Sequence, residues 1–369
     1  MRSPSRRVLS TAAAVPRRQR VLSGVQPSGD VHLGNYLGAI KNWVALQETY
    51  ENFYCVVDLH AVTTPFDRSR LALETLNTAA LFLACGIDPK RSCVFIQSHV
   101  PAHSELAWLL NCNTPLSWLE RMTQFREKQR EGAAAASDGS GTDEGAGVGL
   151  LSYPTLMAAD ILLYGAHLVP VGADQRQHLE LTRDIARRCN RAYKGAKGEP
   201  SLFRVPDALI AETGGARVMS LDDGTVKMSK SAPREGSRIN LLDAPGVVAR
   251  KIKRAKTDDK LGLTAVDEAT GLARPECANL LAIYTAVRDD AEPAALAEEC
   301  RSMGWGQFKP LLADAVNAYL APIQAEYRSL RDDETHLHGV LRAGAERAEE
   351  EANATLERVQ ERMGFLRRA

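Results

Sequence analysis

Between residues 20 and 193, short apolar runs rich in β-branched residues alternate with stretches of helical periodicity. Arg20–Val25 predicts a strand, and the nearly continuous apolar run Phe53–Leu59 predicts a strand that is buried on both faces. The stretch Pro115–Glu131 predicts one helix. This alternation favours an α/β fold with a doubly wound, Rossmann-like parallel sheet covered by helices. Ligands of such sheets bind beyond the carboxyl ends of the strands.

The second half of the chain has a different pattern. From about Asp243 to Met363 it is almost entirely helical, which predicts an all-helical C-terminal domain. The Gly- and Ala-rich stretch 132–149 within the first half predicts a flexible insertion loop.

Charge and cysteine content exclude some classes of protein. Lysine and arginine number 46 and aspartate and glutamate also 46, so the formal net charge of zero argues against non-specific coating of nucleic acid but not against a local basic face. The seven cysteines never occur as C-x-x-C, which favours free thiols and predicts no structural metal. With no apolar run of about 18 residues, no membrane span is expected.

Residues 1–19 stand apart in composition. They are rich in arginine, serine and alanine, and the first acidic residue of the chain is Asp30. Such a segment is typical of an organelle transit peptide, which predicts import into the mitochondrion, the chloroplast or both. The alternative is a basic tail without a targeting role, on a cytoplasmic protein.

The turn between the first strand and the first helix carries the first chemical signal. Its sequence GVQPSGDVHLGN ends in His32, Leu33, Gly34 and Asn35 at the start of a helix. Helix N-termini present unpaired N–H groups and partial positive charge, so anions bind there. Gly34 would let a base or ribose approach the backbone closely, and His32 and Asn35 could donate to phosphate oxygens. Simple capping of the helix by His32 and Asn35 is the ordinary alternative.

A second signal is the KMSKS segment, which follows a glycine-containing turn. Lys227 and Lys230 with the neighbouring hydroxyls suit a loop that closes on a polyphosphate and stabilises charge on a leaving pyrophosphate. A solvated lysine and serine loop is the usual explanation of one such pair, but HLGN lies upstream in the expected order.

Together these segments resemble the two signatures of class I aminoacyl-tRNA synthetases. MTQFREK at 122–128, SYPTLMAADILLY at 152–164 and VPVGADQ at 169–175 resemble the bacterial and organellar tryptophanyl enzymes. The resemblance runs from about Arg20 to the C-terminus. It implies synthesis of tryptophanyl-tRNA from L-tryptophan, tRNA(Trp) and ATP through a tryptophanyl-adenylate, with Mg²⁺ carried mainly by the ATP phosphates.

The resemblance also implies a domain organisation. We expect a catalytic domain over 20–216, the KMSKS loop with a helical tRNA-binding domain over 217–324, and C-terminal helices over 325–369 that pack back on the catalytic domain.

The tryptophan site is expected around Asp160. Tyr153, Met157 and Asp160 share one face of a helix, and Asp160 lies in an apolar setting where a lone carboxylate is costly without a donor. An indole N–H is such a donor, and the resemblance implies this role for Asp160, with Met157 packing on the ring. Pairing of Asp160 with a neighbouring arginine is the alternative. The resemblance further implies that Tyr153 and Gln175 hold the α-amino group and that His60 lies near the pocket, although an ordinary histidine at a strand end is also compatible.

The resemblance assigns further residues to ATP and to catalysis. The ribose site would be Gly172, Ala173 and Asp174; the adenine and phosphate contacts would be Gln26, Pro27, Ser28, Gly34, Asn35 and Val218; the loop over the phosphates would be Lys227, Met228, Ser229, Lys230 and Ser231. Catalysis would rest on His32, Lys227 and Lys230, assisted by Lys128. Two departures from the family are the long stretch after Lys128 and Leu22, which stands where relatives can have an aromatic residue.

Partners and rival functions follow from the same resemblance. It implies a homodimer. Candidates for tRNA binding are the basic segments Arg183–Lys197 and Arg250–Lys256 and the C-terminal helices, although each could be merely a solvated face. A small-molecule nucleotidyltransferase, a tyrosine-specific relative and an inactive RNA-binding paralogue are the alternatives.

Overall fold

A computed structural model of the chain describes residues 18–27, 31–127, 129, 147–172, 175–209, 218–230, 232–260, 262–267, 270–288 and 292–366. Most of the predicted transit segment and insertion loop therefore lie outside the described residues, as do the predicted site residues Ser28, Lys128, Ala173, Asp174 and Ser231.

A parallel sheet of five strands forms the centre of the first half. The strands are β1 (Arg20–Val25), β2 (Glu51–Val56), β3 (Cys93–Ile96), β4 (Leu168–Pro170) and β5 (Asp207–Leu209). Their order is β3-β2-β1-β4-β5, and every pairing is parallel. The strand order reverses at β1, which is where such sheets bind ligands. The predicted α/β class with a Rossmann-like sheet is confirmed.

Helices surround the sheet and continue as the second half. Those of the first half are α1 (Leu33–Asn35), α2 (Lys41–Leu46), α3 (Asp58–Ala61), α4 (Leu71–Ala84), α5 (Ala102–Asn113), α6 (Leu116–Leu119), α7 (Val148–Leu163) and α8 (Arg176–Ala192). Those of the second half are α9 (Pro245–Arg254), α10 (Pro275–Val287), α11 (Pro293–Cys300), α12 (Trp305–Asp332) and α13 (Glu334–Met363). A π-helical turn, Tyr36–Ile40, joins α1 to α2.

Two hydrophobic clusters cover the two faces of the sheet, because side chains alternate along each strand. Tyr54 and Val56 of β2 belong to a cluster that continues into α9–α12 of the helical half. Phe53 and Cys55 of the same strand belong to the other cluster, which α5, α7, α8 and part of α13 complete. The helical half therefore shares one continuous core with one face of the sheet.

The last helix returns to the sheet. Gly344 of α13 lies directly against the β3 backbone, since a Cβ there would meet the carbonyl oxygen of Val94. Arg20 of β1 bonds both Glu51 of β2, at 2.9 Å, and Glu351 of α13, at 2.7 Å. This ion-pair cluster ties the last helix to the first strand.

Two local predictions need correction, and one strand was missed. The predicted helix Pro115–Glu131 is broken at residues 120–122, between α6 and a helical stretch at 123–127. The predicted strand Phe53–Leu59 ends at Val56, because Asp58 begins α3. The short strand β5 lacks an apolar run and was not predicted; its residues are mostly exposed at the sheet edge.

Within the described residues, no helix is both long enough and apolar enough to cross a membrane.

Candidate functional site

A cavity of about 460 Å³ opens at the carboxyl ends of β1, β2 and β4. We call it the Asp160 cavity. It is lined by Leu22, Ser23, Gly24, Gln26, Cys55, Val57, His60, Gln124, Tyr153, Met157, Asp160, Ile161, Val169, Pro170, Val171 and Gln175. All five residues predicted for tryptophan therefore lie around one space.

Asp160 is the buried anion of this cavity, only 4% exposed. Its Oδ2 accepts a hydrogen bond from His60 Nε2 at 2.8 Å, and its Oδ1 lies 2.7 Å from Gln97 Nε2 and 2.6 Å from His103 Nδ1. Burial alone would raise the pKa of this carboxyl, but the hydrogen bonds from His103 and His60 outweigh it and hold the pKa well below its ordinary value. Asp160 is therefore ionised and acts only as an acceptor.

The partners of Asp160 were only partly predicted. The alternative in which a neighbouring arginine pairs with Asp160 is wrong, because two histidines and a glutamine surround the carboxylate. His60 lies both on the cavity wall and beside Asp160.

Tyr153 lies on the same helix face as Asp160, two turns earlier on α7, and also lines the cavity. Its hydroxyl lies 2.9 Å from Gln124 Oε1 and 2.7 Å from His178 Nε2. Burial raises the pKa of Tyr153 to about 12, so this hydroxyl keeps its proton at neutral pH. Gln124 and His178 escaped the sequence analysis.

A second site forms where the HLGN turn meets the chain around KMSKS; we call it the His32 junction. Residues 31–33 pair with 239–241 through Leu33 N–H to the Ile239 carbonyl at 2.8 Å and Leu241 N–H to the Val31 carbonyl at 2.9 Å. Gly34 faces KMSKS, because a Cβ there would lie 3.5 Å from the Cβ of Met228. The two signatures are therefore in direct contact.

His32 caps the helix that begins at Leu33. Its Nδ1 accepts from the Asn35 N–H at 3.2 Å, while Asn35 Oδ1 accepts from the His32 N–H at 3.4 Å. The Nε2 atom of His32 therefore carries the ring proton, and the Asn35 side-chain NH₂ is its remaining donor. His32 and Asn35 therefore cap the helix, as the ordinary alternative proposed. Capping still leaves each side chain one donor group for an anion: the Nε2–H of His32 and the side-chain NH₂ of Asn35.

The His32 junction is electropositive. Burial first, and then the charges of Lys230, Arg238 and Lys227, lower the pKa of His32 to about 4. At neutral pH this imidazole is therefore an uncharged donor among three cations. Arg238 was not among the predicted residues; it reaches His32 only because residues 239–241 pair with 31–33.

The remaining predicted ATP residues occupy several environments. Lys227 is exposed and Lys230 half-buried, whereas Met228 and Val218 are buried in the core and bonded through Met228 N–H to the Val218 carbonyl at 3.1 Å. Gln26 and Gly172 are exposed, with Gln26 on the wall of the Asp160 cavity. Pro27 is buried beside Gln26, at the end of β1.

Comparison with known proteins places the chain among relatives of one kind. Residues 16–321 match the family described as tRNA synthetases class I (W and Y). The tryptophan–tRNA ligase of Parasynechococcus marenigrum is 59% identical over 350 residues, covering 95% of this chain and 99% of the relative. The chloroplastic/mitochondrial tryptophan–tRNA ligase of Arabidopsis thaliana is 52% identical, covering 95% of this chain and 84% of the relative.

A solved structure gives the same result. The tryptophanyl-tRNA synthetase of Campylobacter jejuni, in complex with ADP and tryptophan, superposes with a TM-score of 0.77 at 34% identity, covering 94% of this chain and 100% of that one.

Proposed function

The chain belongs to the class I tRNA synthetases for tryptophan and tyrosine and acts as a tryptophan–tRNA ligase, and we propose that the Asp160 cavity selects its amino acid. The observation that carries this proposal is the buried, ionised Asp160 on the wall of a cavity at the switch point of the sheet. An acceptor-only carboxylate favours a ring that brings an N–H, and a cavity of about 460 Å³ has room for an indole.

The other cavity residues fit the remaining parts of tryptophan. Met157 lies one turn before Asp160 on α7 and would pack on the indole, while Leu22 forms an aliphatic wall. Tyr153 and Gln175 would hold the α-amino group. His60 would fix Asp160 as well as touch the substrate.

We further propose that the His32 junction binds ATP as its magnesium complex. The side chains that lower the pKa of His32 are all cationic, and the described residues contain no group of three or more carboxylate, histidine or cysteine ligands that could hold a metal. Such surroundings fit phosphate oxygens, so Mg²⁺ would arrive on the ATP phosphates. Gly172 and the backbone after β1 would approach the ribose and adenine, with the ATP roles of Ser28, Ala173, Asp174, Ser231 and Lys128 remaining predictions.

Two transfers complete the reaction. The tryptophan carboxylate attacks the α-phosphorus of ATP, an O–P bond forms, and the bond to pyrophosphate breaks. A ribose hydroxyl at the end of tRNA(Trp) then attacks the tryptophanyl carbonyl, and AMP leaves. Neither step needs a side-chain nucleophile, so the residues contribute by position and charge. His32 would donate through Nε2 to the reacting phosphate, while Lys227 and Lys230 stabilise the charge that develops on the leaving pyrophosphate.

For the tRNA we propose the exposed face of α9. The candidate run Arg250–Lys256 is divided in the structure, because Lys251 is buried against Asp243 at 2.7 Å and Lys256 pairs with Glu276 at 2.7 Å. Arg250, Lys253 and Arg254 are exposed and form no ion pair with a described carboxylate. On α8, two of the arginines are paired with carboxylates: Arg183 with Asp207 and Arg187 with Asp184.

We also propose that the enzyme is a homodimer. Large apolar side chains are exposed around the start of α7: Val62, Phe66, Trp108, Leu116 and Val148. Thr63 packs against Gly149, and Thr155 bonds Asn111 at 2.6 Å, so these residues lie on neighbouring elements. A second copy would cover this face. Trp108→Glu should shift the sedimentation mass from dimer to monomer; a monomeric parent protein would contradict the proposal.

Residues 1–19 are proposed to direct import into the mitochondrion or the chloroplast, in line with the name of the Arabidopsis relative. Fusion of this segment to a fluorescent protein, followed by fractionation, tests the proposal. Fluorescence that stays in the cytosol would contradict it.

The function itself is tested by charging tRNA(Trp). We expect AMP release that requires tryptophan and tRNA together and yields tryptophanyl-tRNA whose ester bond is labile in alkali and stable in acid. Transfer of the adenylyl group to a small molecule, with release of pyrophosphate and without any need for tRNA, would instead support the nucleotidyltransferase alternative.

A further inference from the structure

Three buried side chains stand behind Asp160 without lining the cavity. His103 and Gln97 are fully buried, and Tyr164 is 1% exposed. They come from separate elements: Gln97 follows β3, His103 lies in the first turn of α5, and Tyr164 follows α7. The family resemblance assigned none of them a role.

The geometry fixes the direction of each hydrogen bond. Gln97 Oε1 accepts from the Leu59 N–H at 3.1 Å, so its amide nitrogen must be the atom 2.7 Å from Asp160 Oδ1. The Tyr164 hydroxyl lies 2.7 Å from His103 Nε2, its one hydrogen-bond partner among the described residues. Because the ionised Asp160 can only accept, His103 Nδ1–H donates to Oδ1 at 2.6 Å. In the neutral imidazole Nε2 is then the acceptor, and the Tyr164 hydroxyl donates to it.

The two oxygens of Asp160 are consequently unequal. Oδ1 accepts from both Gln97 and His103, on the side away from the cavity. Among the described residues, Oδ2 accepts only from His60, and His60 lines the cavity. Because a carboxylate oxygen accepts about two hydrogen bonds, Oδ2 can take one more donor from the cavity side.

Aromatic packing holds this arrangement in place. The His103 ring lies 5.9 Å from the Phe95 ring and 5.6 Å from the Tyr164 ring, measured between centroids. Tyr164 itself stacks on Phe53 of β2 at 4.8 Å. The imidazole therefore packs against two aromatic rings while its two nitrogens bond Asp160 and Tyr164.

We propose that His103, oriented by Tyr164, is a positioning residue for amino-acid selection: it occupies Asp160 Oδ1 so that Oδ2 faces the indole N–H of the substrate. The proposal rests on the proposed role of Asp160 and deepens it. It makes His103 responsible for discrimination at the ring nitrogen, with no part in the phosphate chemistry.

The test compares two ligands in one protein. One is tryptophan; the other is its benzothiophene analogue, in which sulfur replaces the ring N–H. The quantity measured is the ratio of kcat/KM for the two in ATP–pyrophosphate exchange. Since both ligands use the same ATP site and the same folded fraction of enzyme, a general loss of stability cancels from the ratio.

The expected results distinguish loss of the hydrogen-bond donor at residue 103 from a change in side-chain shape. The full-length parent should prefer tryptophan on the order of 100-fold, as expected for a hydrogen bond to a charged group. His103→Leu should reduce that preference to below about 10-fold through KM for tryptophan, with kcat and KM for ATP largely retained. His103→Asn places an amide N–H at the position of Nδ1 and should restore the preference to within about threefold of the parent.

Two further variants keep the test decisive. Leu106→Ala empties space on the same helix without removing a donor, so its ratio should equal that of the parent. Tyr164→Phe keeps the ring and removes the hydroxyl, and should lower the ratio by about threefold, which tests the network even if His103→Leu does not fold.

The outcomes also distinguish the two proposals. If the parent enzyme used tryptophan and the benzothiophene analogue with equal kcat/KM, the proposed role of Asp160 would be overturned, and with it the role of His103. A discriminating parent whose preference survives in both His103→Leu and Tyr164→Phe would overturn only the inference about His103.

Discussion

The Asp160 cavity and the His32 junction each bury an ionisable side chain, but their surroundings act in opposite directions. Hydrogen-bond donors surround Asp160 and keep it charged, so its pKa is held down although burial alone would raise it. At the His32 junction, burial and three cations strip the imidazole of its charge. The first site suits a neutral ring that offers one N–H, and the second suits a polyanion. One enzyme thus separates choice of amino acid from phosphate chemistry by local electrostatics.

The largest effect should come from removing the charge of the first site. Asp160→Asn should raise KM for tryptophan on the order of 1000-fold. The indole N–H then faces an uncharged amide, and the hydrogen-bond donors that surround the carboxylate no longer match the side chain. KM for ATP should stay near the parent value in pyrophosphate exchange. An equal rise in both KM values would break the separation of the two sites.

The corresponding change in the second site is Lys230→Ala. We expect a fall in kcat on the order of 100-fold, or about 3 kcal/mol of transition-state stabilisation, because one cation at the leaving pyrophosphate is lost. KM for tryptophan should change little. Lys90→Ala, at an exposed lysine before β3, is the matched control and should behave as the parent. Unchanged adenylate formation in Lys230→Ala would refute the catalytic assignment.

A smaller effect concerns the protonation of His32. The pKa of His32 in the folded protein is about 4, below the ordinary 6.5. Between pH 4 and pH 6.5, His32 is therefore protonated in the unfolded chain but not in the folded protein. The free energy of unfolding should therefore fall as the pH drops from about 6.5 to about 4.

His32→Asn keeps an acceptor for the Asn35 N–H and removes the titration, so urea unfolding of this variant should show a flatter pH dependence over that range. If the free energy of unfolding had the same pH dependence in the parent and the variant, His32 would not be the titrating group of the His32 junction.

The smallest effect tests whether positive potential extends from the His32 junction to the tRNA. Arg250→Gln and Arg254→Gln should each lower the slope of log affinity for tRNA(Trp) against log salt by about one unit and leave pyrophosphate exchange unchanged. Arg187→Gln, whose arginine is paired with Asp184, is the control. If neither α9 variant changed the slope of log affinity against log salt, the tRNA would bind to another surface.

The sequence was informative where local pattern or family motif carried the signal. Helical spacing placed Tyr153, Met157 and Asp160 on one wall, and the alternation of strands with helices along the chain predicted the parallel sheet. The order of HLGN and KMSKS predicted a common site, and the structure brings them into contact at Gly34.

What escaped prediction depends on long-range contacts. Arg238 reaches His32 through the pairing of residues 239–241 with 31–33, which no periodicity reveals. His103 and Tyr164 look like ordinary helix and core residues until folding places them beside Asp160. Gln97 was the one partner with a usable signal, because a polar residue directly after a buried parallel strand points to the ligand edge of the sheet.

The central claim, that this enzyme activates tryptophan through the ionised Asp160, is tested most directly by ATP–pyrophosphate exchange on the full-length protein with each of the twenty amino acids. We predict exchange with tryptophan alone, and its loss at the same tryptophan concentration in Asp160→Asn. Exchange driven by tyrosine, or tryptophan-dependent exchange that persists unchanged in Asp160→Asn, would contradict the claim.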